Sequence, residues 1–228
     1  VNILPLAEQE RINAILPIGE YDKSKFIVMA TSQGTIKKVS LDQFSRPRSN
    51  GIIALDLAEG DKLIGVDITD GEADVMLFTD AGKAIRFHES SVRGMGRTAR
   101  GVRGVKLKDG QQVMSLIIVR ASGAVLIATK NGYGKRTSID EFSPIGRGGQ
   151  GVIAIQVSER NGKVVRATQV DPQDEAMLIT DQGTLVRLRI EEISLIGRNT
   201  QGVRLINLKG GEKLVGMQRI EELPEEGT

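Results

Sequence analysis

The chain contains no cysteine, no tryptophan and a single histidine, His88. Without thiols it can form neither a disulfide framework nor a thiolate metal site, and one imidazole excludes a multi-histidine site within this chain. Aromatic residues are equally scarce, with five Phe and two Tyr among 228 residues. A surface that stacks on unpaired bases needs more of them, so single-stranded nucleic acid is disfavoured as a ligand. No apolar run reaches membrane-spanning length, and the N-terminus lacks a charged-then-apolar secretion signal. A soluble chain in a reducing, cytoplasmic setting is expected. Long stretches of Ala, Leu, Glu and Lys at helical spacing are missing as well.

What is abundant is glycine, 27 residues, with clusters of Val, Ile and Thr between. That composition predicts an all-β chain with many tight turns. The glycines recur in register. Gly51, Gly101, Gly151 and Gly202 end four loops at spacings of 50, 50 and 51 residues, and each is followed by a β-branched residue. Four Thr-x-x-Gly tetrads begin at Thr31, Thr79, Thr129 and Thr180 and end at Gly34, Gly82, Gly132 and Gly183. A base stands four residues after each tetrad glycine (Lys38, Arg86, Arg136, Arg187), and an apolar residue ten after it (Phe44, Val92, Phe142, Ile193).

A unit of about 50 residues in a β-rich chain points to a radial array of four-stranded blades, because one blade has two apolar faces and cannot bury both alone. The walk along the first unit reads a strand from Arg11 to Ile18, a hairpin FIVMAT–SQG–TIKKVSL, a loop, and a strand IIALDL. LIGVDI is read as the start of the second unit. The long connection from Phe44 to Gly51 suggests that the following strand crosses to a neighbouring blade, since a plain hairpin needs only two to five residues.

Three kinds of chemistry are conceivable on these residues. His88 lies beside Glu89, Ser90 and Ser91, but neighbours on a strand point to opposite faces, so a converging triad is not expected. The loops RGMGRTARG and IGRGGQG carry the glycines of a phosphate loop, yet a strand and not a helix follows each, which disfavours nucleotide binding. The basic residues remain. Net charge is only +2, but its distribution is uneven: residues 93–106 hold five bases and no acid, while EELPEEGT holds four Glu and no base. Every long loop carries arginine: Arg46 and Arg48, then Arg97 and Arg100 followed by Arg103, then Arg147, then Arg198. With Lys37, Lys38, Arg86, Lys135, Arg136, Arg187 and Arg189 they are expected to form a basic belt, which suits the phosphates of a bent duplex without base-specific readout. A protein-interaction propeller is the rival reading.

The runs GIIALDLAEGDKLIGVDIT, VMLFTDAGKAIRF, NGYGKRT and LIGRNTQGVRLI resemble the C-terminal domains of DNA gyrase A subunits over essentially the whole chain. The related topoisomerase IV domains share the architecture with less regular repeats. The resemblance implies a β-pinwheel, in which blades exchange strands with their neighbours, over residues 1–220, followed by an acidic tail over 221–228. It also implies wrapping of double-stranded DNA around the basic perimeter in support of negative supercoiling. The implied partners are the remainder of the gyrase A subunit, together with the gyrase B subunit, in an A2B2 complex. No cofactor is implied for this chain, because ATP and Mg2+ belong to other domains of the holoenzyme. The family's basic heptapeptide Q-R-R-G-G-K/R-G is absent, and its nearest run is residues 145–151. Four units stand where the family has six, so the chain is expected to lack about two N-terminal repeats.

Overall fold

Each Thr-x-x-Gly tetrad closes a β-hairpin. In the computed structural model, which describes residues 12–120 and 123–221, β1 (Phe26–Thr31) turns into β2 (Thr35–Ser40) through a bond from Gly34 N–H to the Thr31 carbonyl (3.0 Å). The Thr31 hydroxyl accepts a second bond from Thr35 N–H (3.2 Å), and Gly34 takes the positive φ of 85° that this turn requires. The same turn joins β4 (Asp74–Thr79) to β5 (Lys83–His88), β8 (Ala124–Thr129) to β9 (Tyr133–Ser138), and β12 (Glu175–Thr180) to β13 (Leu185–Arg189).

Each hairpin gains a third strand from its own unit and, in three cases, a fourth from the next. The third strands are β3 (Leu63–Thr69), β7 (Val113–Ile118), β11 (Val164–Val170) and β15 (Leu214–Ile220), antiparallel to β1, β4, β8 and β12. LIGVDI therefore completes the first blade and does not begin the second, which corrects the unit boundary expected from sequence. The reason is hydrogen bonding: β1 has a free edge opposite β2, and β3 is the next segment able to fill it. The fourth strands are β6 (Val102–Arg103), β10 (Val152–Ile153) and β14 (Val203–Arg204). They pair backwards, onto β2, β5 and β9. The resulting sheets run β3-β1-β2-β6, β10-β5-β4-β7, β11-β8-β9-β14 and β13-β12-β15. The expected crossing is real.

The tetrad glycine is where the crossing strand docks. The Gly34 carbonyl accepts bonds from Gly104 and Val105 N–H, that of Gly82 from Ala154 and Ile155, and that of Gly132 from Leu205 and Ile206. A Cβ on Gly34, Gly82 or Gly132 would lie 2.8, 2.2 or 2.8 Å from the carbonyl oxygen of Val105, Ile155 or Ile206. Gly183 has the same turn conformation (φ 84°) but nothing within 4 Å of its would-be Cβ, and no crossing strand docks there among the described residues.

Side-chain alternation then packs blade on blade. Val75 and Leu77 face the first blade, joining Val28, Ala30 and Ile36, while Met76 and Phe78 face the third, joining Val125, Ile127 and Phe142. Both faces of a middle blade are thus apolar, which is why β4 and β8 read as unbroken hydrophobic runs. Each fully buried aliphatic side chain contributes on the order of 1.5–3 kcal/mol. Phe78 and Phe142 meet edge to face at 6.0 Å. In β12 Ala176 and Leu178 turn inward, to the third blade, with Thr180 buried beside the turn, and Ile179 is exposed. The outer face of the first blade is covered by Ile18, Phe44, Ala54 and Leu55. Two expected strands are not formed: residues 12–18 and 52–57 adopt no regular structure, and Arg11 lies outside the described residues.

The third strands of all four blades converge. Asp67, Ile117, Thr168 and Gln218, one from each, line a cavity of about 320 Å³ with Arg120, Arg219 and Glu221. Burial raises the Asp67 carboxyl above its ordinary value. Around this cavity Arg219 pairs with Asp174 at 2.6 Å, Asp171 at 3.4 Å and Glu221 at 3.2 Å. Arg120 also pairs with Glu221 (3.2 Å). Of the acidic tail expected from sequence, Glu221 is thus tied back to the blades, and 222–228 lie outside the described residues. The long loops lie on the other side of each blade, beyond β2, β5 and β9.

Candidate nucleic-acid interface

Each long loop leaves a short 3-10 turn, and the second, third and fourth cross to the preceding blade and end in the crossing strand. Their first anchor is the base four residues after the tetrad glycine. The Lys38 amine donates to the Glu89 carbonyl (3.1 Å) and pairs with the Glu89 carboxylate (3.4 Å). Arg86 donates to the carbonyls of Ile139 and Phe142 (3.1 Å each), and Arg136 to those of Ile193 (2.7 Å) and Glu191 (3.2 Å). In each case a cation on one blade caps the 3-10 turn of the next unit: Glu89 and Ile139 take it as a second donor beside Val92 and Phe142 N–H, while the Phe142 and Ile193 carbonyls lie just past the end of their turns. Arg86 is also paired with Asp74 (2.8 Å). Arg187, with no following unit among the described residues, pairs with Glu175.

This placement corrects the expected belt. Lys37, Lys38 and Lys135 are buried, and Arg86 and Arg136 are half-buried with their donors spent on carbonyls. Positions three and four beyond the tetrad glycine lie beneath the next unit's loop. Their recurrence as bases reflects carbonyl capping between units, which charge patterning alone does not separate from a surface role.

The second anchor is the loop arginine itself. The guanidinium of Arg97 donates to the Ile53 carbonyl (3.1 Å), Arg147 to Arg103 (2.9 Å), and Arg198 to Ile153 (2.9 Å). The acceptor is always the second residue after the preceding loop's terminal glycine, so the arginine four residues before one loop's glycine stitches to the loop before it. Arg147 makes one further bond, from Nε to the Ser91 carbonyl (2.8 Å). A guanidinium has five N–H donors, so each of the three keeps several for a ligand. All three are only partly covered.

Arg46, Arg48, Arg100, Arg103 and Arg187 are exposed, and Arg100 is paired with Asp56 (3.0 Å). Arg48, Asn50 and Gly51 of the first loop face Arg97 and Thr98 of the second across a cavity of about 580 Å³. Arg93 and Lys106, the ends of the basic run noted in the sequence, are exposed in the same loops, as is Arg204, which sequence reasoning missed. Arg204 was legible: it stands two residues after Gly202, as Arg103 does after Gly101. Its guanidinium donates to the Tyr133 hydroxyl (3.0 Å) and, with Arg160, lies over that ring.

His88 has a local task. Its Nδ1 accepts from Ser90 N–H (3.2 Å) and its Nε2 bonds the Glu72 carbonyl (3.0 Å), capping the 3-10 turn that follows. The arrangement as a whole is a series of loops with main chains satisfied from below and guanidinium groups held at their outer side. Such a surface has the chemistry to hold a string of anions and offers little for base-edge readout.

The sequence matches the family described as DNA gyrase C-terminal domain, beta-propeller, four times, over residues 25–70, 73–120, 124–171 and 174–221. These bounds are those of hairpin plus third strand. The DNA gyrase A subunit of Salmonella typhimurium is 59% identical over 222 residues, covering 97% of this chain and 25% of that protein. Its counterpart from Escherichia coli K12 is 54% identical over 226 residues, covering 99% of this chain and 26% of that protein. The chain therefore spans about a quarter of the length of these curated relatives. A solved DNA gyrase A C-terminal domain superposes with a TM-score of 0.86 at 26% identity, over 96% of this chain and 73% of that one. The C-terminal domain of a DNA topoisomerase IV superposes at 0.90 with 24% identity, over 96% and 69%, a likeness of fold alone.

Proposed function

Since the chain belongs to the DNA gyrase C-terminal domain, beta-propeller family, we propose that it binds duplex DNA along its loop rim, bends it, and so supports negative supercoiling by a gyrase holoenzyme. The observation that carries this reading is the repetition of Arg97, Arg147 and Arg198. Each is held through one bond to an equivalent carbonyl of the preceding unit, with further donors left over. Successive blades thus present successive cations in one orientation, as a phosphate backbone requires. Binding is electrostatic and indifferent to sequence, with log affinity falling by roughly 0.9 per phosphate contact for each tenfold rise in salt. Bending a 20–30 bp segment costs on the order of 1–6 kcal/mol, so several contacts must act together, and loops already fixed to the blades lose little entropy on binding.

Double-stranded DNA is then the direct ligand. The protein partners are the remainder of the gyrase A subunit, together with the gyrase B subunit, within an A2B2 assembly in the bacterial cytoplasm. ATP hydrolysis and strand cleavage reside outside this chain. The test is fluorescence transfer between dyes at the two ends of a duplex titrated with the chain at low and high salt. Approach of the ends at low salt, lost as salt rises, is the expected result. A duplex bound without approach of its ends refutes bending, and no binding at low salt refutes the reading as a whole.

A further inference from the structure

Three residues after each tetrad glycine stand Lys37, Ile85, Lys135 and Val186. The position is apolar in the second and fourth units, as a strand residue beneath a loop should be. In the first and third it is a lysine with no exposed surface. The Lys37 amine donates to the Ala54 carbonyl (2.7 Å) and to the Arg97 carbonyl. The Lys135 amine donates to the carbonyls of Gly197 (2.6 Å) and Arg198 and to the Thr200 hydroxyl (3.0 Å). In both cases the cation reaches up from the blade and grips the main chain of the next unit's loop at its arginine. Under the second blade's position the loop rests on Ile85 instead, with Gly149 packed near its Cδ1.

Burying an ammonium is costly, and an aliphatic side chain fills this place in two units of the same fold. Stability does not account for keeping it. Its effect lies in the loop. A carbonyl held inward at Arg97, or at Gly197 and Arg198, fixes the peptide orientation and the direction in which the arginine leaves the main chain.

We propose that Lys37 and Lys135 are positioning residues of the DNA-binding rim: each, without touching DNA, locks the loop main chain that aims Arg97 or Arg198 outward. The inference rests on the duplex-binding reading above. The charged groups facing each amine are few. Arg97 and Asp56 act on Lys37, and Glu141 and Arg198 act on Lys135. Desolvation lowers both amines to about 8, with the neighbouring arginine adding to the effect. The lock is therefore charged at neutral pH and weakens above it.

The test is the K37M/K135M double variant of the intact chain, with duplex affinity measured against salt and against pH from 7 to 9.5. Retained blades are verified by thermal melting. The expected result is a melting temperature no lower than wild type, affinity reduced at least about tenfold, the worth of one charge-assisted contact, and a salt slope shallower by about one per loop. The wild-type affinity should decline above pH 8, and the variant's should not. A folded variant that binds with wild-type affinity and slope overturns the proposal. Should the variant fail to fold, the wild-type titration decides, and an affinity flat to pH 9.5 overturns it. A wild-type chain that binds no duplex at low salt overturns the reading beneath it.

Discussion

Replacing Gly82 by alanine, beside the same change at Gly183, separates the two reasons for which a tetrad glycine is needed. Both residues turn at positive φ, 77° and 84°, and an alanine in that conformation costs about 1–2 kcal/mol wherever it stands. Only Gly82 is also a docking point. Its new methyl would sit 2.2 Å from the Ile155 carbonyl oxygen and 2.8 Å from a Val157 methyl, whereas at Gly183 it meets nothing within 4 Å. The crossing strand β10 would have to withdraw, weakening the bonds from Ala154 (2.8 Å) and Ile155 (3.1 Å) to the Gly82 carbonyl. At about 0.5–1.5 kcal/mol for each bond, the extra cost is about 1–3 kcal/mol. G82A should then destabilise by about 2–5 kcal/mol in total, and G183A by only about 1–2. Urea unfolding followed by circular dichroism measures both, and the difference between them is the energy of strand exchange at one interface. Equal costs for the two substitutions would falsify the assignment of Gly82 as a strand-docking site. A G82A loss confined to local unfolding of β10, seen by amide exchange without a shifted midpoint, would show instead that neighbouring blades are weakly coupled.

The caps between units give a second paired comparison. R136M removes bonds to two carbonyls of the following unit and should cost about 1.5–3 kcal/mol in thermal or chemical unfolding, while R187M, which breaks only an exposed pair with Glu175, should cost under about 1. The buried lysines give a pH signature of stability. Their folded values of about 8 lie below 10.5, so between those two values the unfolded chain holds more protons. Stability should therefore rise with pH through about 8, at up to about 1.4 kcal/mol per pH unit and lysine, and level off above 10.5. K37M/K135M should lose that rise in a series of unfolding midpoints. On the rim, R103E and R204E should weaken duplex binding and flatten its salt dependence by about one contact each, R103E without a change in melting temperature and R204E with a loss of about 1 kcal/mol for its contacts to Tyr133. Retained affinity in both would move the interface away from the crossing strands.

The hairpins, the four-fold repeat and the turn glycines were all legible in the sequence, because each is enforced locally. A Thr hydroxyl bonding four residues ahead and a residue at positive φ leave the same mark wherever they occur. Strand exchange could be anticipated from the length of the Phe44–Gly51 connection, since a loop too long for a hairpin must go elsewhere. The membership of LIGVDI in the first blade could not, because pairing is decided by which edge is vacant and not by adjacency along the chain. Nor could the standing of the basic residues. Lys38, Arg86 and Arg136 share a register with one another just as Arg97, Arg147 and Arg198 do, and charge repeated in register reads alike at the surface and beneath a loop. Only the packing of one unit onto the next decided that the first set is consumed by carbonyls and the second keeps donors to spare. A repeat thus states in its own sequence how each blade is made, while the uses of its cations depend on a neighbour some 50 residues away.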